Sequence, residues 1–472
     1  MGPDPSSPHN TWAIEPYAVA GDGDLVRMQL RKSRQLIDFQ SIKRNVTDLK
    51  SARLVRPLSA NRVQTGEAMS LMQTDRTTSA DYSRVTPESL IARAKEIAAT
   101  LVPLQAETEK RTYYSEATHD LFRQAGFYRI LTPKRYGGLE FGIDTFLNVA
   151  MAIASGCPST GWQLCLGTSH ALTAASFFEE AQQAAVFADG DFICPTTVRP
   201  GGGAKLNADG DWTLTGDFGY ASGSPYGQYF MGHTVDVDAQ GPPVPMLFIA
   251  PRSQWSRLDD WGQQLGLKGS GSHTVRFENA VIPERFVMPG VSLMEMDVSA
   301  GTPGLRLHGN PMYAGSSYSF FLLEAAAVCT GIAKNALHTF DELMAKTTSF
   351  PPIVPRSQDP DFQRWYGIGA GKVYAAEAIV TSCAEQWMDT AAQGAFTREQ
   401  DMRLVALSRE VLDLCWDAMG VFFRVAGSGS VLNGQRMERI WRDMSTLRSH
   451  SGFVFFVELS KRELAKARFG VQ

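Results

Sequence analysis

Trp212-Thr213-Leu214-Thr215-Gly216 is a short β-type run in a chain whose flanking regions carry helical spacing, and its position decides the fold. Met246-Leu247-Phe248-Ile249-Ala250 and Thr274-Val275-Arg276-Phe277 are runs of the same kind. Asp209-Gly210, Gly216-Asp217 and Glu278-Asn279 supply turns between or after them. This strand texture begins near Phe192. Upstream, Thr86-Pro87-Glu88 opens a helix with a cap-like residue and a proline in the first turn. The run to Glu107 places Leu90, Ile91, Ala94, Ile97, Ala98 and Leu101 at helical spacing. A second helix, Ser115 to Ala125, stops at Gly126. Two nearly uniform apolar helices, Ile143 to Ala154 and Ser159 to Ala175, read as buried bundle members. From about Ser316 the helical period returns in long segments. The expected class is α+β: helices, then a β domain, then a helical bundle.

Bulk properties narrow the function. At 472 residues, two or three packed units are expected. A hydrophobic content of 44% and a charged content of 20% fit an ordinary soluble protein. The net charge of -4, with no basic tract, argues against nucleic acid as a partner. No run of about eighteen apolar residues exists, so no membrane span is expected. Cys157, Cys165, Cys194, Cys329, Cys383 and Cys415 lack any C-x-x-C pairing. Reduced thiols in a cytoplasmic protein, without zinc or a disulfide framework, are the plain reading. The histidines lack H-E-x-x-H spacing, and no metal is expected. Residues 1–80, rich in Arg, Ser, Asp and Gly, read as a disordered or weakly ordered extension, with a loose amphipathic helix over Leu25 to Arg44. They contain no apolar signal core, and Met69 and Met72 are candidate natural start positions just before the first well-patterned helix.

The C-terminal end adds chemistry. Gly427-Ser428-Gly429-Ser430 forms a small-residue turn, followed by Arg439-Ile440-Trp441-Arg442-Asp443 and then His450. Seven residues make about two helical turns, so Asp443 and His450 are expected on one helix face, with Arg442 and Asp443 as a structural ion pair. A lone helix histidine is usually structural; it gains meaning only if other segments share its cavity.

Four stretches carry a family likeness. They are Leu131-Thr132-Pro133 with Arg135-Tyr136-Gly137-Gly138; Trp212 to Gly216 leading to Tyr220-Ala221-Ser222-Gly223; Leu267-Lys268-Gly269-Ser270-Gly271-Ser272 with Val281-Ile282-Pro283; and Arg439 to His450. In this order they resemble the acyl-CoA dehydrogenase superfamily over about residues 86–472. Within it, they resemble the oxygenase components of two-component flavin-dependent monooxygenases, such as the hydroxylases of 4-hydroxyphenylacetate and of secosteroid phenols. The resemblance implies an N-terminal helical domain (81–190), a central β-barrel or sandwich (191–298), a C-terminal four-helix bundle (299–472) and a homotetramer. It also implies reduced FMN or FAD supplied as a diffusible cofactor by an NAD(P)H:flavin reductase, and a C4a-hydroperoxyflavin that hydroxylates a phenolic or related aromatic substrate with O2. The chain shows no G-x-G-x-x-G after a strand, consistent with borrowing its reduced flavin.

Site residues follow by the same resemblance. His170, eight residues after Trp162, is placed with it beside flavin and substrate. Its imidazole could take a phenol proton, but the ordinary values for phenol and imidazole, about 10 and 6.5, make that uphill by roughly 5 kcal/mol. The plain alternative is a buried histidine bonded to a backbone carbonyl. Ser222, beside Gly223, is expected to hydrogen-bond flavin N5, against ordinary turn chemistry. Thr196 and Thr197 are candidate donors to flavin or substrate, or simply strand residues. His450 stands on the other side of the flavin as a proton donor. Lys268 replaces the arginine usual in its block, and Ser270 the usual threonine. Ala314, after Asn310-Pro311-Met312-Tyr313, stands where relatives carry a phosphate-binding arginine. Three rivals remain: an acyl-CoA dehydrogenase using Glu324 as base, an N- or S-oxygenase of the same fold, and a flavin-free helical scaffold.

Overall fold

The computed structural model describes residues 82–240, 243–296, 298–393 and 396–471. The expectations for residues 1–80 lie outside them. Helix α1, Pro87–Leu101, starts on a reciprocal cap: Thr86 Oγ1 accepts from Ser89 N–H, and Ser89 Oγ accepts from Thr86 N–H. The helix expected to reach Glu107 is interrupted. Pro103 has no N–H to give, and Val102–Leu104 tighten into a 3-10 turn before α2, Gln105–Arg111. Helix α3, Glu116–Ala125, is capped by Ser115 and stopped by Gly126 at φ 85°. Helix α4 (Ile143–Gly156) is buried along most of its length. The helix expected over 159–175 is divided by a one-residue interruption at Ser169 into α5 (Pro158–Thr168) and α6 (His170–Phe177). Helix α7 spans Glu180–Val186.

Eight strands follow. They are β1 (Thr196–Thr197), β2 (Gly203–Leu206), β3 (Trp212–Phe218), β4 (Tyr229–Val235), β5 (Pro245–Pro251), β6 (Ser256–Arg257), β7 (Val275–Ile282) and β8 (Val287–Pro289). One sheet runs β1-β4-β5-β8 and the other β2-β3-β7-β6; neither closes on itself, so the β domain is an open sandwich and no barrel. Its core is aromatic. Phe218 meets Phe230, Phe248 and Phe277 edge-on, with ring centroids 5.2, 5.5 and 5.4 Å away.

The chain then returns to helices: α8 (Pro303–His308), α9 (Ser317–Lys346), α10 (Pro360–Ala392), α11 (Arg398–Ala426), α12 (Arg436–Arg448) and α13 (Val457–Phe469). A small hairpin, β9 (Thr348–Ser349) with β10 (Val354–Pro355), joins α9 to α10. Helix α9 is long and apolar enough to cross a membrane, but 89% of its apolar window is buried inside the protein. Its partners explain this. Phe320 lies 6.1 Å from Phe146 of α4, and a Cβ on Gly331 would stand 2.4 Å from the Met151 carbonyl oxygen. The two helical regions thus share one core, while the sandwich keeps its own.

Candidate active site

Where the sandwich meets α5, three serine hydroxyls join in a chain. The Trp162 indole Nε1–H donates to Ser222 Oγ at 2.9 Å. Ser222 Oγ lies 2.8 Å from Ser272 Oγ, which lies 2.8 Å from Ser270 Oγ. Ser224 Oγ donates to the Gly271 carbonyl at 3.1 Å and ties the two loops together. Gly223 has φ 94°, and a Cβ there would stand 2.9 Å from Gly167 Cα. Glycine is required at this position for backbone contact with α5 as well as for its left-handed conformation.

The loop carrying Ser270 and Ser272 is held by α12. Asp443 Oδ1 accepts from Leu267 N–H at 2.6 Å, and Thr446 Oγ1 accepts from Gly266 N–H at 2.7 Å. This contact fixes Leu267 at φ 51°, unfavourable for a branched side chain. Burial pushes the Asp443 carboxyl up to about 7, against the pull of the Leu267 N–H. The expected Arg442–Asp443 pair is not formed. Arg442 turns instead to Glu109, Glu438 and the Leu265 carbonyl, and Arg439 joins Glu109 at 3.0 Å.

His450 also departs from expectation. Helix α12 ends at Arg448, so His450 lies beyond it and shares no helix face with Asp443. Its ring meets the Trp162 ring edge-on at 5.4 Å, and its Nδ1 accepts from Gly452 N–H at 3.2 Å. In the neutral imidazole this leaves the proton on Nε2. Although the residue is exposed as a whole, desolvation by the protein around its ring lowers its pKa to about 4.

His170 is only 3% exposed. Its Nδ1 sits 2.9 Å from the Cys194 carbonyl, and its ring meets Phe321 edge-on at 5.3 Å. Burial lowers its pKa to about 4, opposed by the Cys194 and Leu166 carbonyls. Thr196 Oγ1 donates to the same Cys194 carbonyl at 3.4 Å. Thr197 Oγ1 is buried without a hydrogen-bond partner among the described residues. The sequence candidates thus form two groups, Trp162, Ser222, Gly223 and His450 in one and His170 with Thr196 at the Cys194 carbonyl in the other; Thr197, the next strand residue, joins neither through a side-chain contact. Gly167 lies between them, touching Gly223 and accepting from Cys194 N–H at 2.6 Å. Lys268 is half-buried and makes no ion pair or hydrogen bond among the described residues.

Two features lie apart. Glu324, on α9, is 0% exposed, and neither carboxyl oxygen completes a hydrogen bond among the described residues. Burial pushes its pKa well above the usual range, with Ser169 opposing. A cavity of about 230 Å³ lined by Cys329, Trp416, Met444, Arg448 and Phe453 includes none of the sequence candidates.

Residues 86–189 match the family model described as acyl-CoA dehydrogenase, N-terminal domain, and residues 323–455 match acyl-CoA dehydrogenase, C-terminal domain. With helices on either side of an open sandwich, the chain belongs to the acyl-CoA dehydrogenase family. Its relatives include a pigment production hydroxylase from Rhodococcus sp. (strain ATCC 21145), 28% identical over 357 residues, 74% of this chain and 90% of that protein. Another is the oxygenase component of p-hydroxyphenylacetate 3-hydroxylase from Acinetobacter baumannii, 23% identical over 380 residues, 79% of this chain and 88% of that protein. The solved structure of XiaF from Streptomyces sp., in complex with FADH2 and glycerol, has the same fold. It gives a TM-score of 0.74 at 24% identity, covering 82% of this chain and 96% of that one.

Proposed function

We propose that this protein is the oxygenase component of a two-component flavin-dependent monooxygenase that hydroxylates a phenolic or related aromatic compound. The observation that carries the reading is the Trp162–Ser222 contact at the sandwich–α5 junction, continued through Ser272 and Ser270. These groups suit a planar ligand rich in acceptors along one edge. Reduced FMN or FAD, brought by a separate NAD(P)H:flavin reductase, supplies the activation of O2 when bound. The Ser222 hydroxyl donates to the flavin ring, Trp162 walls it, and Thr196, Thr197 and Gly223 line its approach. Lys268 offers a free cation to the phosphate in the absence of arginine at Ala314.

His170 then orients the substrate. With Nδ1–H held by the Cys194 carbonyl, Nε2 is an acceptor for a phenol hydroxyl. A phenol near 10 facing an imidazole near 4 makes full proton transfer uphill by about 8 kcal/mol. His170 therefore acts by positioning the hydroxyl and sharing its proton as oxygen enters the ring, not by removing the proton beforehand. His450 presents Nε2–H as a donor on the opposite side. An acyl-CoA dehydrogenase base at Glu324 is disfavoured by its complete enclosure on α9. Exposed Ile368 and Tyr374 on α10 suit assembly of the bundle into a homotetramer.

Stopped-flow mixing of anaerobic protein and reduced FMN, then FAD, with oxygenated buffer tests the reading. A lasting near-ultraviolet transient before oxidised flavin returns is expected. Reoxidation at the protein-free rate rejects it.

A further inference from the structure

The direction of the serine chain is set by its buried end. An indole N–H only donates, so Trp162 occupies one lone pair of Ser222. If Ser222 gave its proton to Ser272, either the Ser270 or the Ser272 proton would be left without an acceptor, and Ser272 itself is 3% exposed. Ser270 is 1% exposed, and Ser272 is the only hydrogen-bond partner of its hydroxyl among the described residues. That arrangement strands a buried hydroxyl proton, which is costly. In the reverse arrangement Ser270 donates to Ser272 and Ser272 donates to Ser222. The one proton then left without a protein acceptor is that of Ser222, at the Trp162 end of the chain and, at 8%, the most exposed of the three.

We propose that Ser272 and Ser270 are positioning residues that make the Ser222 hydroxyl a one-way donor to the bound flavin, an inference that rests on the flavin reading above. Two donors converge on Ser222 Oγ, from Trp162 and Ser272, and polarise its remaining O–H. The Gly266–Ser272 loop, clamped to α12 through Asp443 and Thr446, holds this arrangement in place.

The test compares wild type with Ser272→Ala, Ser272→Thr, Ser270→Ala and Ser222→Ala, each carrying reduced FMN and mixed with oxygen. Ser272→Ala is expected to shorten the near-ultraviolet transient about 3- to 10-fold, the worth of one net hydrogen bond, and to raise the peroxide fraction. FMN affinity should stay within about twofold, and Ser272→Thr should restore the lifetime. Ser270→Ala should act in the same direction with smaller size.

A second readout needs no flavin. The Trp162 indole N–H resonance of 15N-labelled protein should move in Ser272→Ala and return in Ser272→Thr. An unmoved resonance overturns the chain. A wild-type lifetime in Ser272→Ala, with Ser222→Ala shortened, overturns the positioning roles and leaves the oxygenase reading standing. Absence of any transient in wild type defeats that reading and this inference together.

Discussion

His170 holds its proton on Nδ1 at the Cys194 carbonyl; on the proposed reading its Nε2 faces the substrate, so its removal should spare oxygen activation and harm its use. His170→Ala is expected to lower hydroxylated product per reduced flavin about 10- to 100-fold, with peroxide rising to match; product and peroxide assays on the same reaction check it. Asp443 offers a stability test. Asp443→Ala removes the acceptor of the Leu267 N–H and should cost about 1–3 kcal/mol in denaturant unfolding at pH 7. Asp443→Asn keeps an acceptor and buries no charge, so it should cost less. Because the native carboxyl is raised to about 7, wild type loses stability at this site as pH rises from 3.8 toward 7, and the gap to Asp443→Asn should narrow over that window. Ser222 and Trp162 were singled out through the family resemblance. The hydroxyl chain was not, because Ser222 and Ser272 are 50 residues apart and nothing local in either segment signals their pairing.

At the scale of elements, the contact between α12 and the Gly266–Ser272 loop organises the site. A Cβ on Gly266 would fall 2.1 Å from the Arg442 carbonyl oxygen, so the loop can sit there only with glycine. Gly266→Ala should lift the loop, cost about 2 kcal/mol or more and weaken FMN binding, measured by denaturation and by fluorescence titration. The helices were legible because apolar spacing and caps are local signals: Thr86, Ser115 and Gly126 stand at the boundaries that their residue types imply. The expected Asp443–His450 face failed for a reason of length. Helix α12 stops at Arg448, and His450 reaches Trp162 from the following turn. Arg442 and Asp443 are adjacent in sequence, yet successive helix positions point about 100° apart and find different partners.

Across the whole molecule, buried histidines set the response to acid. His119, His170 and His273 are each lowered to about 4, burial being the main cause. Their unfolded forms take up protons below pH 6.5 that the fold refuses, so stability should fall as pH drops from 6.5 to 4. Asp443 and Glu324, both raised by burial, act in the opposite sense. His233, His308 and His338 shift the same way as the three histidines. The net loss should be about 1–3 kcal/mol per pH unit, seen as a lower melting temperature at pH 5 than at pH 7. The order of helices, strands and helices was legible from periodicity. That the two helical regions share one core was not, because α4 and α9 meet across some 170 residues with only apolar spacing to mark them. This shared core has a consequence for biosynthesis. Helix α4 leaves the ribosome long before α9, so Phe146 and the surface around Ala154 stay uncovered while the entire sandwich is translated. Slowing translation between these helices should lengthen chaperone occupancy of the nascent chain, whereas slowing it after α9 should not.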